Sequence, residues 1–254
     1  MSAPSPLAAR GLRKSFGGVD AVTEFTVEVT PGIVTGLIGP NGAGKTTIFN
    51  MLSGRIKPDA GDVWFYGELV TGKPMHWLSR RGLGRSFQEV RLFPSLTVLE
   101  NAALYAQGRV GNSLALQFAT PVASFRENRR ALKAAQTALD FVGLGEIAGA
   151  RADSLAYAEQ KLLSVARLLA MGAEVFLLDE PASGLDKHGI EVVISTIARL
   201  VEAGKTVVLI EHNLDVVRAA CDRIVFLDQG SVRAEGTAEE VFSRTELATI
   251  YFGA

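Results

Sequence analysis

Cysteine is almost missing from this chain: Cys221 is the single one in 254 residues. One thiol excludes an internal disulfide and suits a reducing cytoplasm. Excess charge of either sign is missing too. With 26 Lys and Arg against 27 Asp and Glu, the formal net charge is −1. That balance gives no bulk electrostatic case for nucleic acid or an anionic lipid surface. No run approaches the roughly eighteen apolar residues of a membrane helix; even 161–179 is broken by Lys161, Arg167 and Glu174. The opening MSAPSPLAAR has no apolar core long enough for a secretory signal. Internal repeats and low-complexity segments do not occur. These absences predict a protein soluble by itself, with any membrane connection made through a partner. Its length suffices to bury a sizeable core, as one large domain or one domain with an inserted lobe.

What the chain does have is concentrated in residues 33–54, IVTGLIGPNGAGKTTIFNMLSG. Ile33, Val34, Leu37 and Ile38 read as a buried strand, and Ile48, Phe49, Met51 and Leu52 follow at helical spacing. Between them stands Gly39-Pro40-Asn41-Gly42-Ala43-Gly44-Lys45-Thr46-Thr47. This is G-x-x-x-x-G-K-[ST] in the strand, loop and helix context that phosphate binding requires. Glycine lets the backbone curl so that successive N–H groups face phosphate oxygens. A helix beginning near Gly44 adds its positive end. Lys45 is expected to reach the β- and γ-phosphates and the Thr46 hydroxyl to ligate Mg²⁺. A glycine-rich turn before an ordinary helix is the plainer alternative, but it leaves the lysine and threonine without a reason. The pattern predicts a chain that binds a nucleoside triphosphate.

Residues 7–38 alternate strand-like segments, LAARGLRKSF, EFTVEVT and IVTGLIG, with Gly18 and Pro31-Gly32 between them. They predict a mostly antiparallel β subdomain leading into the phosphate strand. Asp62 to Val70 reads as one further strand. From Arg91 to about Leu169 the signal is helical, densest in 126–142 and 159–170, while 108–125 reads as a loop with a short helix. Strands return at Glu174–Leu178, Thr206–Ile210 and Arg223–Leu227, with a helix over Gly189–Val201. Strand, helix, strand alternation predicts right-handed crossovers and a largely parallel sheet. The fold class is therefore α/β, in a single domain spanning 1–254. A nucleotide-binding core with its β subdomain takes 1–90 and 171–254, and an inserted helical subdomain takes 91–170.

Val175-Phe176-Leu177-Leu178-Asp179-Glu180 is an apolar strand ending in two carboxylates. In P-loop enzymes an acid at this strand end holds the Mg²⁺ between the β- and γ-phosphates, a role that Asp179 fits. Glu180 is placed to orient and deprotonate the attacking water. Taken alone, the pair could merely solvate a strand end.

With these runs in hand, the chain resembles the ATP-binding cassette (ABC) ATPases over essentially its whole length. Besides GPNGAGKTT and FLLDE, Gln88 in GRSFQEVRLFPSLTVLEN matches the family's glutamine loop. Ser183-Gly184-Leu185-Asp186 matches its aspartate loop, and His212 in VVLIEHN its switch histidine. Phe16 in RKSFGG stands where the family places an aromatic ring on adenine. Within the family the chain is most similar to the ATPases of branched-chain amino-acid importers, through RSFQEVRLFPSLTVLEN, IEHN, the long helical lobe and the terminal YFGA. The resemblance implies ATP held by Phe16, residues Gly39 to Thr47 and Gln88, with Mg²⁺ on Thr46, Gln88 and Asp179. It implies hydrolysis by Glu180 and His212 with Lys45. Without the family, Phe16 reads as a core ring, Gln88 as a surface amide and His212 as a satisfied strand-end histidine. His76 and His188 match no motif and read as surface residues, and Cys221 reads as packing.

The family's signature, Leu-Ser-Gly-Gly-Gln, is Leu155-Ala156-Tyr157-Ala158-Glu159 here, followed by Gln160. Ala156 has no hydroxyl, Ala158 restricts the backbone, and Glu159 adds negative charge where an anion is to be clamped. In the family two cassettes pack head to tail, each signature completing the other chain's site. The resemblance thus implies a second ABC ATPase subunit, as a heterodimer with one weak site or, alternatively, a homodimer. It also implies permease subunits, an extracytoplasmic solute-binding protein reached indirectly, no nucleic acid, and a place on the cytoplasmic face of the inner membrane. Residues 88–100, with Arg91, Phe93 and Pro94, are the expected permease contact. Two rival readings are a soluble ABC ATPase of the iron–sulfur assembly type and a weakly hydrolysing regulatory subunit.

Overall fold

The computed structural model describes residues 4–87, 90–107 and 121–243. The chain forms two compact units, Met1–Leu78 with Glu174–Ala254, and Ser79–Ala173. The first opens with β1 (Leu7–Phe16), β2 (Val19–Val29), β3 (Val34–Ile38), α1 (Lys45–Leu52), β4 (Ala60–Phe65) and β5 (Glu68–Leu69), and α2 (Met75–Arg80) follows. The second contains β6 (Leu83–Arg85), α3 (Val98–Gln107), α4 (Pro121–Val142) and α5 (Tyr157–Met171). The first unit then resumes with β7 (Val175–Asp179), α6 (Lys187–Glu202), β8 (Thr206–Ile210), α7 (Leu214–Ala220), β9 (Arg223–Asp228), β10 (Ser231–Gly236) and α8 (Ala238–Phe242).

In the first unit the strands run in the order β5-β4-β1-β2-β10-β9-β3-β8-β7. One half is antiparallel, β1 pairing with β2 and β4, and β4 with β5. The other half is built on parallel pairs, β3 with β8 and β9, and β7 with β8. Composition explains the division. Every residue of VTGLI, VFLLD and TVVLI is buried, as a parallel sheet covered on both faces demands. In β2, by contrast, Phe25, Val27 and Val29 are buried while Glu24, Thr26 and Glu28 are exposed, the alternation of a strand with one wet face.

The run Asp62 to Val70 is not one strand. Tyr66 and Gly67 take φ of 47° and 79°, and Phe65 pairs with Glu68 across them. Two successive left-handed residues make the tight turn whose twist suits a hairpin, so the chain reverses there. Strand β2 begins at Val19, earlier than EFTVEVT indicates, because Val19 pairs with Phe16 at the end of β1. Strand β10 carries no apolar run of its own. It exists because Ser231 to Gly236 pair back onto β9.

In the second unit α3, α4 and α5 pack against one another through small side chains, with Ala102, Ala103, Ala131, Ala135 and Ala166 all buried. Helix α4 starts at Pro121, a first-turn position that needs no N–H donor. Of the irregular stretch 108–125, residues 108–120 lie outside the described residues. Arg167 on α5 is buried and organises the segment before α3. Its Nη1 donates to the Arg91 carbonyl and its Nη2 to Asn101 Oδ1, each at 2.6 Å. The guanidinium carbon lies 5.8 Å from the Phe93 ring centre and 4.9 Å from that of Tyr105. Asn101 in turn donates to the carbonyls of Phe93 and Thr97. Among the described residues no helix is long and apolar enough to cross a membrane.

Cys221 packs on the cluster of Ile38, Val217, Ile224 and Phe226, and a Cβ placed on Gly36 would come within 2.8 Å of its Sγ. Burial first, and then the Asp222 and Glu211 charges, push the thiol up to about 12. A neutral buried thiol is a poor nucleophile. Iodoacetamide at pH 8 should therefore leave Cys221 unmodified in the native protein and alkylate it in urea; native labelling at the rate of a free thiol would contradict this packing.

Candidate functional site

Strands β3, β8 and β7 end in step. Leu37 lies opposite Ile210, and Ile210 opposite Asp179. The residues that follow each strand therefore emerge at one edge of the sheet: Gly39 onward from β3, Glu180 from β7, Glu211 and His212 from β8. The carboxyl ends of parallel strands are where α/β proteins gather ligands.

Two contacts explain why the loop after β3 must lack side chains. A Cβ on Gly39 would lie 2.1 Å from the Leu227 carbonyl oxygen, and one on Gly44, whose φ is +95°, 2.5 Å from that of Ala21. Gly44 is the N-cap of α1 and has no side chain with which to cap its first amides. Pro40, Ala43 and Gly230 tie the loop down through Ala43 N–H to Pro40 O and Gly230 N–H to Ala43 O, both 3.2 Å. Asn41, Gly42 and Thr46 are exposed, and Thr47 is half-buried. Lys45 arches back, its Nζ donating to the carbonyls of Gly39 at 2.6 Å and Pro40 at 2.8 Å. Burial pushes the Lys45 ammonium below the ordinary lysine range, while the Glu180 and Asp179 carboxylates pull it back up. The lysine thus links the loop electrostatically to the acidic strand end.

Asp179 is buried as the last residue of β7. Glu180 follows in a left-handed conformation, φ 48°, with its N–H donating to the Ile210 carbonyl at 3.0 Å. A non-glycine residue held this way stores roughly 1–3 kcal/mol of strain and needs its surroundings to keep it there. His212 Nδ1 stands 3.7 Å from Glu180 Oε1, too far for a hydrogen bond but within range of charge. The histidine side chain is 58% exposed and the glutamate 22%. The next loop is a compact turn: Ser183 N–H donates to Glu180 O, Leu185 N–H to Ala182 O, and Gly184 is exposed. The Asp186 carboxylate caps α6 by accepting from Gly189 N–H at 2.8 Å.

One residue at this edge is missed by the motifs. Glu211 is wholly buried. Its Oε1 accepts from Ala182 N–H at 2.9 Å and its Oε2 from His212 N–H at 3.3 Å, with the Asn213 amide a further donor. Desolvation raises its carboxyl above the ordinary range, against the opposing pull of these bonds and of His212. The readable signal was an acid placed directly after the apolar run TVVLI, as Asp179 and Glu180 complete VFLL.

Phe16 is 51% exposed at the end of β1, so it is not a core ring. The Lys14 ammonium lies 5.4 Å from its ring centre. His76 and His188 are exposed. Gln88 lies outside the described residues. In the second unit Leu155 is buried, Ala156 is the N-cap of α5, and Tyr157 is 45% exposed. Ala156 N–H donates to Glu159 Oε2 at 2.8 Å, and Gln160 Nε2 to the Leu155 carbonyl at 3.0 Å. Only half of a reciprocal cap exists, since alanine offers no oxygen to the amide at Glu159. The Glu159 charge is engaged with its own helix terminus, where the dipole favours it.

Among the described residues no group of three or more His, Cys, Asp or Glu side chains stands ready for a metal. Mg²⁺ does not need one, because it binds through one or two protein oxygens and completes its shell with phosphate and water. The Thr46 hydroxyl and Asp179 carboxylate have that chemistry.

A curled loop with its lysine, facing an acidic strand end across a parallel sheet, is the arrangement of P-loop nucleoside triphosphatases. The sequence profile of the ABC transporter family matches residues 22–183. The high-affinity branched-chain amino acid transport ATP-binding protein BraF of Pseudomonas aeruginosa is 40% identical over 250 residues, 97% of each chain. LivG of Escherichia coli, of the same description, is 37% identical over 248 residues, again 97% of each. A nucleotide-free ATP-binding cassette from an ABC transporter superposes with a TM-score of 0.85 at 28% identity, covering 98% of this chain and 99% of the other. A dimeric cassette in a post-hydrolysis state with ADP and Pi gives 0.74 at 26% identity, covering 91% and 98%. The chain belongs to the ABC transporter family, and ATP with Mg²⁺ is its ligand pair.

The half-built cap on α5 is open to test. Ala156→Ser supplies the missing oxygen and should stabilise the protein by about 0.5–2 kcal/mol, raising the urea midpoint with an unchanged slope. No shift in midpoint would mean that the Glu159 bond already satisfies this helix end.

Proposed function

We propose that this chain is the ATP-hydrolysing subunit of a membrane importer for branched-chain or related amino acids, bound peripherally at the cytoplasmic face of the inner membrane through permease subunits. The relatives BraF and LivG support the solute class. The observation that carries the chemistry is Glu180, pinned in a left-handed turn on the strand edge shared with His212 and electrostatically coupled to Lys45.

In this reading the exposed Phe16 ring stacks on adenine, while the amides from Gly39 to Thr47 and the Lys45 ammonium cradle the phosphates. Thr46 and Asp179, with Gln88, would hold Mg²⁺, which would supply positive charge to offset that of the phosphates. The Glu180 carboxylate takes a proton from water as its oxygen bonds to the γ-phosphorus and the bond to the bridging oxygen breaks. His212 donates a hydrogen bond to the γ-phosphate. The second unit, Ser79–Ala173, is the inserted helical subdomain. The segment held by Arg167 and Asn101, with Phe93 half-exposed at its start, is its permease contact.

Pairing with a second cassette leaves the two sites unequal. This chain's phosphate loop, Asp179, Glu180 and His212 serve a site completed by the partner's signature, whereas Ala156 to Glu159 complete the other one poorly. A heterodimer with one fast site is the expected assembly. The purified chain alone should turn over ATP far more slowly than the chain with its partner cassette and permease; equal rates per site would reject the asymmetry.

Glu180→Gln should bind Mg-ATP with wild-type affinity and lose at least about a hundredfold in turnover, the scale of a removed general base. Steady-state hydrolysis close to wild type would reject the assignment of Glu180.

A further inference from the structure

We propose that Glu211 is a positioning residue for hydrolysis: a single buried carboxyl group that clips the Glu180 turn to the His212 loop. The inference rests on the reading of Glu180 as the group that activates water. Glu211 is fully buried, and the bonds found for it go to main-chain N–H groups on two loops, Ala182 on one side and His212 with Asn213 on the other. The turn after β7 is thereby held at two points. Glu180 N–H is fixed to the Ile210 carbonyl at the end of β8, and Ala182 N–H to the side chain of the very next residue, Glu211. Between those two anchors stand the strained Glu180 and Pro181.

A carboxylate suits this position for a reason that packing does not supply. Burying one is costly unless its oxygens are satisfied, and an apolar side chain of similar volume would fill the space at no such cost. What the carboxylate adds is two acceptor oxygens facing opposite ways, Oε1 to the Glu180 turn and Oε2 to the His212 loop. Without Oε1 the Ala182 amide loses its partner, and Glu180 is free to leave the left-handed region for the extended one that a residue before proline prefers. That backbone rotation swings its carboxylate away from where water must be met. Without Oε2 the main chain of His212 loses one of its restraints. The same clip reaches Ser183 to Asp186, since Ala182 opens that turn. Movement of the residue beside the phosphates is thus tied to the loop that the family places at the cassette interface.

Glutamine separates the two halves, because it keeps one acceptor oxygen and presents an N–H₂ group where the second was. Methionine keeps the volume and removes both. In the full-length chain assembled with its partner cassette and permease, Glu211→Gln and Glu211→Met should each lower kcat by about ten- to a hundredfold. The KM and the Kd for Mg-ATP should stay within about threefold of wild type. Amide hydrogen exchange at Ala182 should quicken in the methionine variant. A purely structural role would lower the melting temperature and leave turnover per nucleotide-binding site unchanged. Turnover per bound ATP within about twofold of wild type in either folded variant would overturn the proposal; should the methionine variant not fold, the isosteric glutamine variant decides. Glu180→Gln is measured alongside. If it abolishes turnover while the Glu211 variants do not, the clip alone is wrong; if it leaves turnover intact, the assignment of Glu180 is wrong.

Discussion

The main-chain register of three buried parallel strands is the constraint from which the site follows. Leu37, Ile210 and Asp179 lie abreast across β3, β8 and β7, and the phosphate loop, Glu180 and His212 all start from that line. A slip of one residue would carry a loop about 3.3 Å along the sheet and turn every side chain of the strand to the opposite face. Since both faces of these strands are buried, such a slip would have to repack two cores at once. The burial that stabilises the sheet is therefore also what holds the loops in position.

The loops themselves concentrate terms that the rest of the protein avoids. A lysine is partly desolvated, a glutamate is held in a left-handed backbone, and a second carboxylate, Glu211, is buried among main-chain N–H groups. Each is unfavourable alone, and each is fixed by main-chain bonds to a strand end. Conflicts between local preference and global fold are expected where function resides. Glycine at 39 and 44 has its reason in close approach: the loop must pass against the carbonyls of Leu227 and Ala21.

The second unit treats its signature segment differently. Ala156 gives α5 a cap with only half of its bonds, and Glu159 spends its charge on that cap. The segment before α3 is, by contrast, densely bonded, with Arg167 and Asn101 joining its carbonyls and the rings of Phe93 and Tyr105 flanking the guanidinium. The unit thus pairs a densely bonded segment before α3 with a plain, hydroxyl-free cap on α5.

Local periodicity sufficed for the elements that carry their own signal. Thr206–Ile210 stands out as an uninterrupted apolar run, and Gly39 to Thr47 by spacing and chemistry, because a strand and a phosphate loop are specified by neighbours in the chain. The hairpin at Tyr66 and Gly67 and strand β10 pair with residues close in the chain, yet DVWFYGELV and SVRAEG show no apolar break or run that marks them. The exposure of Phe16 is settled by what packs around it, which no window of residues contains. Glu211 is the sharpest case. As a letter it is one more acid beside a histidine; only the crossover that lays β8 against β7 brings it to the amide of Ala182. The sequence by itself determined the kind of chemistry, through residue types at fixed spacing. The tertiary structure decided which groups meet, because hydrogen bonds between loops depend on sheet register, a property of strands distant in the chain.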